Sequence, residues 1–134
     1  MNEHINFHHY GLAVKTFEHA ENFHRNLGYS ISEPIFDKLQ NVMLVLCTSN
    51  KYPTVELIKP VGDENPIDSY LKKNNEIIYH VCYELDIDKI LIKDFFSKNR
   101  FICVSKPKPA VLFNNRLVSF YYLNNVGLVE ILHK

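Results

Sequence analysis

The stretch Phe7-His-His-Tyr-Gly-Leu-Ala-Val14 is apolar and β-prone except for its two histidines, and it predicts an opening β-strand. A helix is predicted directly after it, over residues 16–27, because apolar side chains recur at helical spacing. Thr16 is the expected N-cap of this helix, and Gly28 follows it where a C-cap belongs. The chain therefore opens with a strand followed by a helix.

The same order of elements occurs twice along the chain. Strand patterns follow the first helix at residues 29–34, 42–48 and 54–58. Residues 60–75 break the pattern with prolines, a glycine and polar residues, and residues 66–71 within this break favour a short helix. The second series has a strand at residues 77–85, a helix capped by Asp86 or Asp88 through residue 97, and strands at residues 101–105, 117–123 and 127–132.

This order predicts an α+β fold made of two βαβββ modules. Module one covers about residues 5–60, a linker covers about residues 61–75, and module two covers about residues 76–134. A length of 134 residues is typical of one compact domain, so we expect a single domain over residues 1–134. The repeat also indicates which residues of the two modules are equivalent.

Charge and composition exclude several classes of partner. The chain has 15 basic and 15 acidic residues, so it has no overall positive field to hold nucleic acid or an anionic membrane. No apolar run approaches the roughly 20 residues that cross a bilayer, and the first residues do not resemble a secretory leader. Cys47, Cys82 and Cys103 each lie in an apolar run, which favours reduced, packed thiols. These features predict a cytoplasmic protein with a small-molecule partner.

Four polar residues interrupt the apolar strands at matching places in the two modules. His9 and His80 lie in the opening strands, and Glu56 and Glu130 lie in the closing strands. A carboxylate in an apolar strand must face solvent or be compensated by a cation, because burying it alone is costly. The simpler interpretation for any one of them is an outward glutamate or a hydrogen-bonded histidine. Their agreement with the repeat favours one shared divalent metal ion instead.

The types of the four ligand side chains limit the choice of metal ion but do not identify it. Two imidazole nitrogens and two carboxylates suit octahedral Ni, Co, Mn or Fe(II), or Zn with expanded coordination. An Fe(II) dioxygenase is a further alternative, but such enzymes commonly use two histidines and one carboxylate, which would leave Glu56 without a role. The predicted cofactor is therefore one divalent ion, with Ni, Co, Zn and Mn as the candidates.

The motifs around these residues resemble those of the vicinal oxygen chelate superfamily along essentially the whole chain. The opening stretch quoted above resembles its first metal strand, Tyr79-His-Val-Cys-Tyr-Glu-Leu85 its third-ligand strand, and Gly127-Leu-Val-Glu-Ile-Leu132 its closing strand. The resemblance implies a cupped mixed sheet of the glyoxalase/bleomycin resistance/dioxygenase type. It also implies a homodimer.

Two families of this superfamily are the nearest in pattern, glyoxalase I and methylmalonyl-CoA epimerase. Glu56 matches the His/Glu/His/Glu set of glyoxalase I, where the epimerases usually carry glutamine. The resemblance thus implies a glyoxalase I-like (lactoylglutathione lyase-like) enzyme, whose hemithioacetal substrate loses a proton beside a carbonyl. In this mechanism Glu130 is the base and Glu56 the returning acid.

Two alternatives remain open. The segment from Lys106 to Phe120 is more similar to the epimerases, which act on acyl thioesters. The additional catalytic glutamate of the epimerases would fall near Leu39, where the nearest carboxylate, Asp37, is out of register. A non-catalytic, small-molecule-binding protein of the resistance type is the second alternative.

The remaining polar residues receive simpler interpretations. Lys106, Lys108 and Arg116 form a basic cluster that is either a solvated loop or a contact for a phosphate or carboxylate of the substrate. Strand alternation turns His8 away from the face that carries His9. Solvated positions are expected for four other histidines, His4, His19, His24 and His133.

Overall fold

A computed structural model of the chain describes residues 3–97 and 99–134. The strands are β1 (Ile5–Val14), β2 (Ser30–Ile31), β3 (Ile35–Asp37), β4 (Val42–Thr48), β5 (Thr54–Pro60), β6 (Glu76–Leu85), β7 (Phe101–Ala110), β8 (Arg116–Leu123) and β9 (Gly127–His133). The helices are α1 (Glu18–Asn26), α2 (Asp68–Leu71) and α3 (Ile92–Phe95), with a short 3₁₀ turn at Val111–Phe113. In the part of the chain described here, no helix is long and apolar enough to span a bilayer.

The chain forms two compact units whose boundaries fall inside β1 and β6. The first unit contains residues 9–79, and its strands lie in the order β2-β4-β5-β1, with β3 paired to β4. β1 and β5 are parallel, whereas β4 and β5 are antiparallel. The core of this unit joins Tyr29, Val45 and Leu57 to partly buried residues of the α1 region, Phe17 and Ala20. The α1 region therefore covers one face of this sheet.

The second unit contains residues 3–8 and 80–134, and its strands lie in the order β6-β9-β8-β7. β6 and β9 are parallel, and the pairs β9–β8 and β8–β7 are antiparallel. Leu85, Tyr121 and Ile131 form its core with Phe96, which follows α3 directly. The predicted α+β class, a mixed sheet with few helices, is confirmed.

Some predicted boundaries differ from the observed ones. β4 begins and ends where it was expected, but α1 has Phe17 at its N-cap position, in helical conformation, rather than Thr16. The helix expected through residue 97 is wrong, because a turn in which the amides of Lys89 and Ile90 bond the Asp86 carbonyl replaces its first half. Only the four residues of α3 are helical in this segment, and no side chain caps them.

The three cysteines have different environments. Cys47 and Cys82 are fully buried, as predicted for packed thiols. Cys103 is exposed, which contradicts the prediction, because it lies on β7, the last strand in the order of its sheet. Burial, assisted by the negative charge of Glu21, raises the pKa of the Cys47 thiol to about 11. Cys47 is therefore a neutral thiol at physiological pH.

We expect one thiol per folded chain to react with a chromogenic disulfide reagent at neutral pH, because reaction needs an exposed thiolate. All three should react once the chain is unfolded in guanidinium chloride. Cys103→Ser should remove the fast reaction and leave the other two thiols protected. A second thiol reacting in the folded protein would contradict the burial of Cys47 and Cys82.

Candidate functional site

One buried histidine–glutamate pair lies in the first unit. His9 of β1 is fully buried and Glu56 of β5 is 5% exposed, which excludes an outward-facing glutamate. The His9 Nε2 and Glu56 Oε2 atoms are 3.9 Å apart. Gly11 is opposite Glu56 in the register and on the same face as His9, and it has no side chain. This leaves room for the carboxylate of Glu56 to turn toward the imidazole.

A second pair lies in the second unit. His80 of β6 and Glu130 of β9 are 2% and 3% exposed, and His80 Nε2 is 3.4 Å from Glu130 Oε1. Cys82 is opposite Glu130 in the register, and His80 lies two positions before Cys82. The first unit has the same arrangement, with Gly11 opposite Glu56 and His9 two positions before Gly11. Phe120, the neighbour of Glu130 on β8, packs edge-on against the His80 ring at 5.5 Å.

The two pairs have the same internal geometry. In each unit two parallel strands are paired, and the glutamate of one strand is opposite a small residue of the other. The histidine lies two positions before that small residue, on the same strand and the same face. The residue opposite the glutamate is small in both cases, Gly11 in one and Cys82 in the other. The sequence repeat therefore extends to the strand register around each candidate residue.

The distances within each pair fit donors that share a metal ion. Ligands bonded at about 2.1 Å are separated by about 3.0 Å at a right angle and about 3.4 Å at a tetrahedral angle. The observed separations of 3.9 and 3.4 Å are near this range. A divalent cation would also offset the cost of keeping two carboxylates out of water. By donor chemistry and burial, each pair suits a divalent ion.

Arg116 is bound to other residues of the protein, whereas the sequence predicted a basic cluster in a solvated loop or in contact with the substrate. Its guanidinium forms an ion pair with Glu84 on β6, and its Nε donates to the backbone carbonyl of His133 at 3.1 Å. Lys106 and Lys108 lie on β7 rather than in a loop, with Lys106 exposed and Lys108 half-buried. The three residues are therefore not one solvated cluster.

Asp37 is buried, and its carboxylate is used by the turn between β3 and β4. Its Oδ1 accepts from the backbone amide of Leu39 at 3.0 Å, and its Oδ2 accepts from the Gln40 side chain at 2.9 Å. The turn also contains Asn41 in a left-handed conformation, with φ of 58°. Asp37 therefore stabilises a turn.

Two histidines predicted to be solvated are buried. The His24 ring bonds the Ala20 carbonyl at 2.7 Å and packs edge-on against Tyr29, because the end of α1 turns toward the core. His133 Nε2 lies 3.1 Å from the Ser119 hydroxyl, and burial lowers the pKa of His133. β9 is a nearly continuous apolar run in which every residue from Val129 to His133 is buried, and such a run, typical of a strand covered on both faces, would have indicated the burial of His133.

A surface groove of about 600 Å³ lies on the α1 side of the first unit. It is lined by Tyr10, Leu12 and Val14, which alternate along β1 with His9, and by Phe23 of α1. Neither His9 nor Glu56 lines it. The groove is therefore on the face of β1 opposite to His9.

Comparisons with known proteins agree with this architecture. Residues 8–120 match the Glyoxalase/Bleomycin resistance protein/Dioxygenase superfamily. The chain is 26% identical over 130 residues to the mitochondrial methylmalonyl-CoA epimerase of Dictyostelium discoideum, covering 94% of this chain and 76% of that protein.

Solved structures show the same fold. The methylmalonyl-CoA epimerase of Mycobacterium tuberculosis superposes with a TM-score of 0.75 at 17% identity, covering 95% of this chain and 86% of that one. The methylmalonyl-CoA epimerase of Streptomyces coelicolor, solved in complex with 2-nitronate-propionyl-CoA, gives a TM-score of 0.74 at 18% identity, covering 96% of this chain and 94% of that one.

The relatives contradict the prediction of a glyoxalase I-like enzyme. That prediction depended on Glu56, a single position, whereas the similarity to methylmalonyl-CoA epimerases extends over 94% of the chain. A glutamate rather than a glutamine at position 56 changes one metal donor but does not determine the substrate. The similarity along the chain is therefore the stronger indication of the family of enzymes to which it is related. The match over residues 8–120 and the shared fold lead to one conclusion: this chain belongs to the Glyoxalase/Bleomycin resistance protein/Dioxygenase superfamily.

Proposed function

We propose that this protein is a metal-dependent epimerase of an acyl-CoA thioester of the methylmalonyl type. It inverts the configuration at C2, the carbon between the thioester carbonyl and the free carboxylate. The observation that carries the proposal is the similarity to a methylmalonyl-CoA epimerase over 94% of a chain that buries two matched histidine–glutamate pairs.

The metal ligands in this proposal are His9, Glu56, His80 and Glu130. The burial of both pairs and the separations of 3.9 and 3.4 Å within them support a divalent ion, with Ni, Co, Zn and Mn as the candidates. A bound ion would supply positive charge that stabilises the negative charge developing on the thioester oxygen. His9 and His80 act as neutral ligands and do not transfer protons.

The two carboxylates carry the proton chemistry. Glu130, released from its ligand position, accepts the proton from C2, and Glu56, likewise released and in its acid form, returns a proton to the opposite face of the same carbon. The roles exchange when the other epimer is the substrate. The low exposure of Glu56 and Glu130, 5% and 3%, limits the access of bulk water to the transferred proton.

Two finer properties are part of the proposal. An exposed free thiol at Cys103 suits a reducing compartment such as the cytoplasm. Ile102 and Tyr122, which are paired across β7 and β8 and are 68% and 48% exposed, form an apolar patch that supports association of two copies of the chain.

The proposal is tested by incubating the protein with one epimer of methylmalonyl-CoA in D₂O, after loading with Ni, Co, Zn or Mn in turn. We expect loss of the circular dichroism of that epimer together with one deuterium at C2. The hemithioacetal of methylglyoxal and glutathione serves as the comparison substrate and should not turn over. If methylmalonyl-CoA is bound but C2 does not exchange with any of these metals, the chain is a binding protein instead.

A further inference from the structure

We infer that Lys108 binds the free carboxylate of the acyl group and so selects acyl-CoA thioesters that carry a second acid. The inference rests on the proposed epimerase function, and it names the group that would distinguish methylmalonyl-CoA from propionyl-CoA. Lys108 lies on β7 within the second unit, the same unit that contains Glu130.

Lys108 lies on the same face of the sheet as Glu130. Residues opposite each other in neighbouring strands point to the same face, and this face recurs every second residue along a regular strand. In β7 the register shift between Ser105 and Lys108 brings two residues that are three positions apart opposite Phe120 and Val118, which are two apart. One row across the sheet consists of Lys108, Val118, Leu132 and Glu84. The next row on that face consists of Ser105, Phe120, Glu130 and Cys82. Lys108 and Glu130 are therefore in adjacent rows.

The separation of the two residues matches a small dicarboxylic acyl group. One row step is about 7 Å along the strands, and the two strand spacings from β7 to β9 add about 10 Å across them, so the Cα atoms are about 12 Å apart. The four-carbon stem of lysine and the shorter side chain of glutamate cover much of this distance. A three-carbon acid between them would place its carboxylate toward Lys108 and its C2 toward Glu130.

Two prolines and a register shift constrain the backbone around Lys108. Pro107 and Pro109 flank it, and each fixes its own φ near −65°. The pairing of β7 with β8 shifts register between Cys103 and Ser105 and again between Ser105 and Lys108. Such irregularities redirect a side chain and are common beside active sites.

Of the two cations that the described strand pairings place on this face, Lys108 and Arg116, Lys108 has no protein counter-ion. Arg116 lies on the same face, but Glu84 neutralises its charge. Among residues 3–97 and 99–134, no side chain forms an ion pair or hydrogen bond with the half-buried Lys108. Its row neighbours Val118 and Leu132 are buried and apolar and offer the ammonium group no acceptor, which leaves that group available to an anionic ligand.

The test compares two ligands that differ by the carboxylate, methylmalonyl-CoA and propionyl-CoA, by isothermal titration calorimetry. Lys108→Ala should raise the Kd for methylmalonyl-CoA by about tenfold or more, as expected for losing a charged hydrogen bond. The Kd for propionyl-CoA should stay within about twofold, because that ligand has no group for Lys108. Lys108→Arg should retain most of the affinity, and the exposed Lys106→Ala should change neither Kd.

The outcomes separate this inference from the proposed function. C2 exchange by the wild type, together with an equal or negligible effect of Lys108→Ala on both ligands, would overturn the role of Lys108 and leave the epimerase standing. A wild type that exchanges no C2 proton would overturn the epimerase, whereas a loss of affinity for methylmalonyl-CoA alone in Lys108→Ala would still support the carboxylate contact. Lys108→Met, which keeps an unbranched stem without the charge, gives the same comparison should the alanine variant be unfolded in circular dichroism.

Discussion

Glu130→Gln is expected to lower the rate of deuterium exchange at C2 of methylmalonyl-CoA by about a thousandfold, within the usual contribution of a general base. Glutamine has nearly the same shape as glutamate, but its amide cannot accept the C2 proton. Mass spectrometry of the acyl-CoA recovered from D₂O measures the rate, and it does so even when product cannot be distinguished from substrate by mass.

Two measurements make this result specific to the proton transfer. Glu33 is exposed, so Glu33→Gln should leave the exchange rate unchanged. The metal content of Glu130→Gln should be measured in the same samples, since the amide oxygen remains a potential donor. A rate within about tenfold of the wild type in a metal-loaded variant would exclude Glu130 as the base.

His80→Ala is expected to weaken divalent metal binding by more than about a hundredfold, because loss of a ligand should exceed the effect of losing a supporting hydrogen bond. The imidazole is 3.4 Å from the Glu130 carboxylate, and both are almost fully buried, so no exposed side chain can easily replace it. Competition with a fluorescent chelator gives the affinity, and elemental analysis of the purified protein gives the stoichiometry.

His19→Ala is the matched control for this experiment, since His19 is an exposed histidine on α1. It should bind metal as the wild type does. Glu56→Gln should also reduce affinity, because it removes the charge of one donor. Unchanged affinity in both His80→Ala and Glu56→Gln would contradict the four-residue metal site.

Much of the fold follows from local patterns. The seven residues of β4 were located from their apolar run alone, and α1 was located to within two residues from its periodicity and Gly28. The prediction of a long helix after Asp86 was wrong because a turn at Asp86 competes with helix formation. An acidic residue before an apolar run is typical both of a turn and of a helix start. β3 was missed because its three residues pair only with β4, a contact that no local periodicity shows.

The candidate site residues that a local sequence pattern marks could be predicted, whereas contacts between distant residues could not. His9, Glu56, His80 and Glu130 could be named because each interrupts an apolar strand and the interruptions repeat. The interaction of Arg116 with Glu84 could not be foreseen, because these residues are far apart in sequence and meet through β8, β9 and β6. The position of the half-buried Lys108 on β7 could not be foreseen either, because the lysines and prolines around it are typical of a solvated loop.

The amino-acid pattern was sufficient for the repeat, the α+β class and the choice of the four polar residues, since alternation and apolar runs are local properties of a chain. It could not establish that Gly11 is opposite Glu56, that Cys82 is opposite Glu130, or that Lys108 shares a face with Glu130. These relations depend on the register between strands distant in sequence, and a shift of one residue would turn every side chain to the other face. Register is set by the packing of whole strands, so the folded chain was needed to place each histidine beside its glutamate.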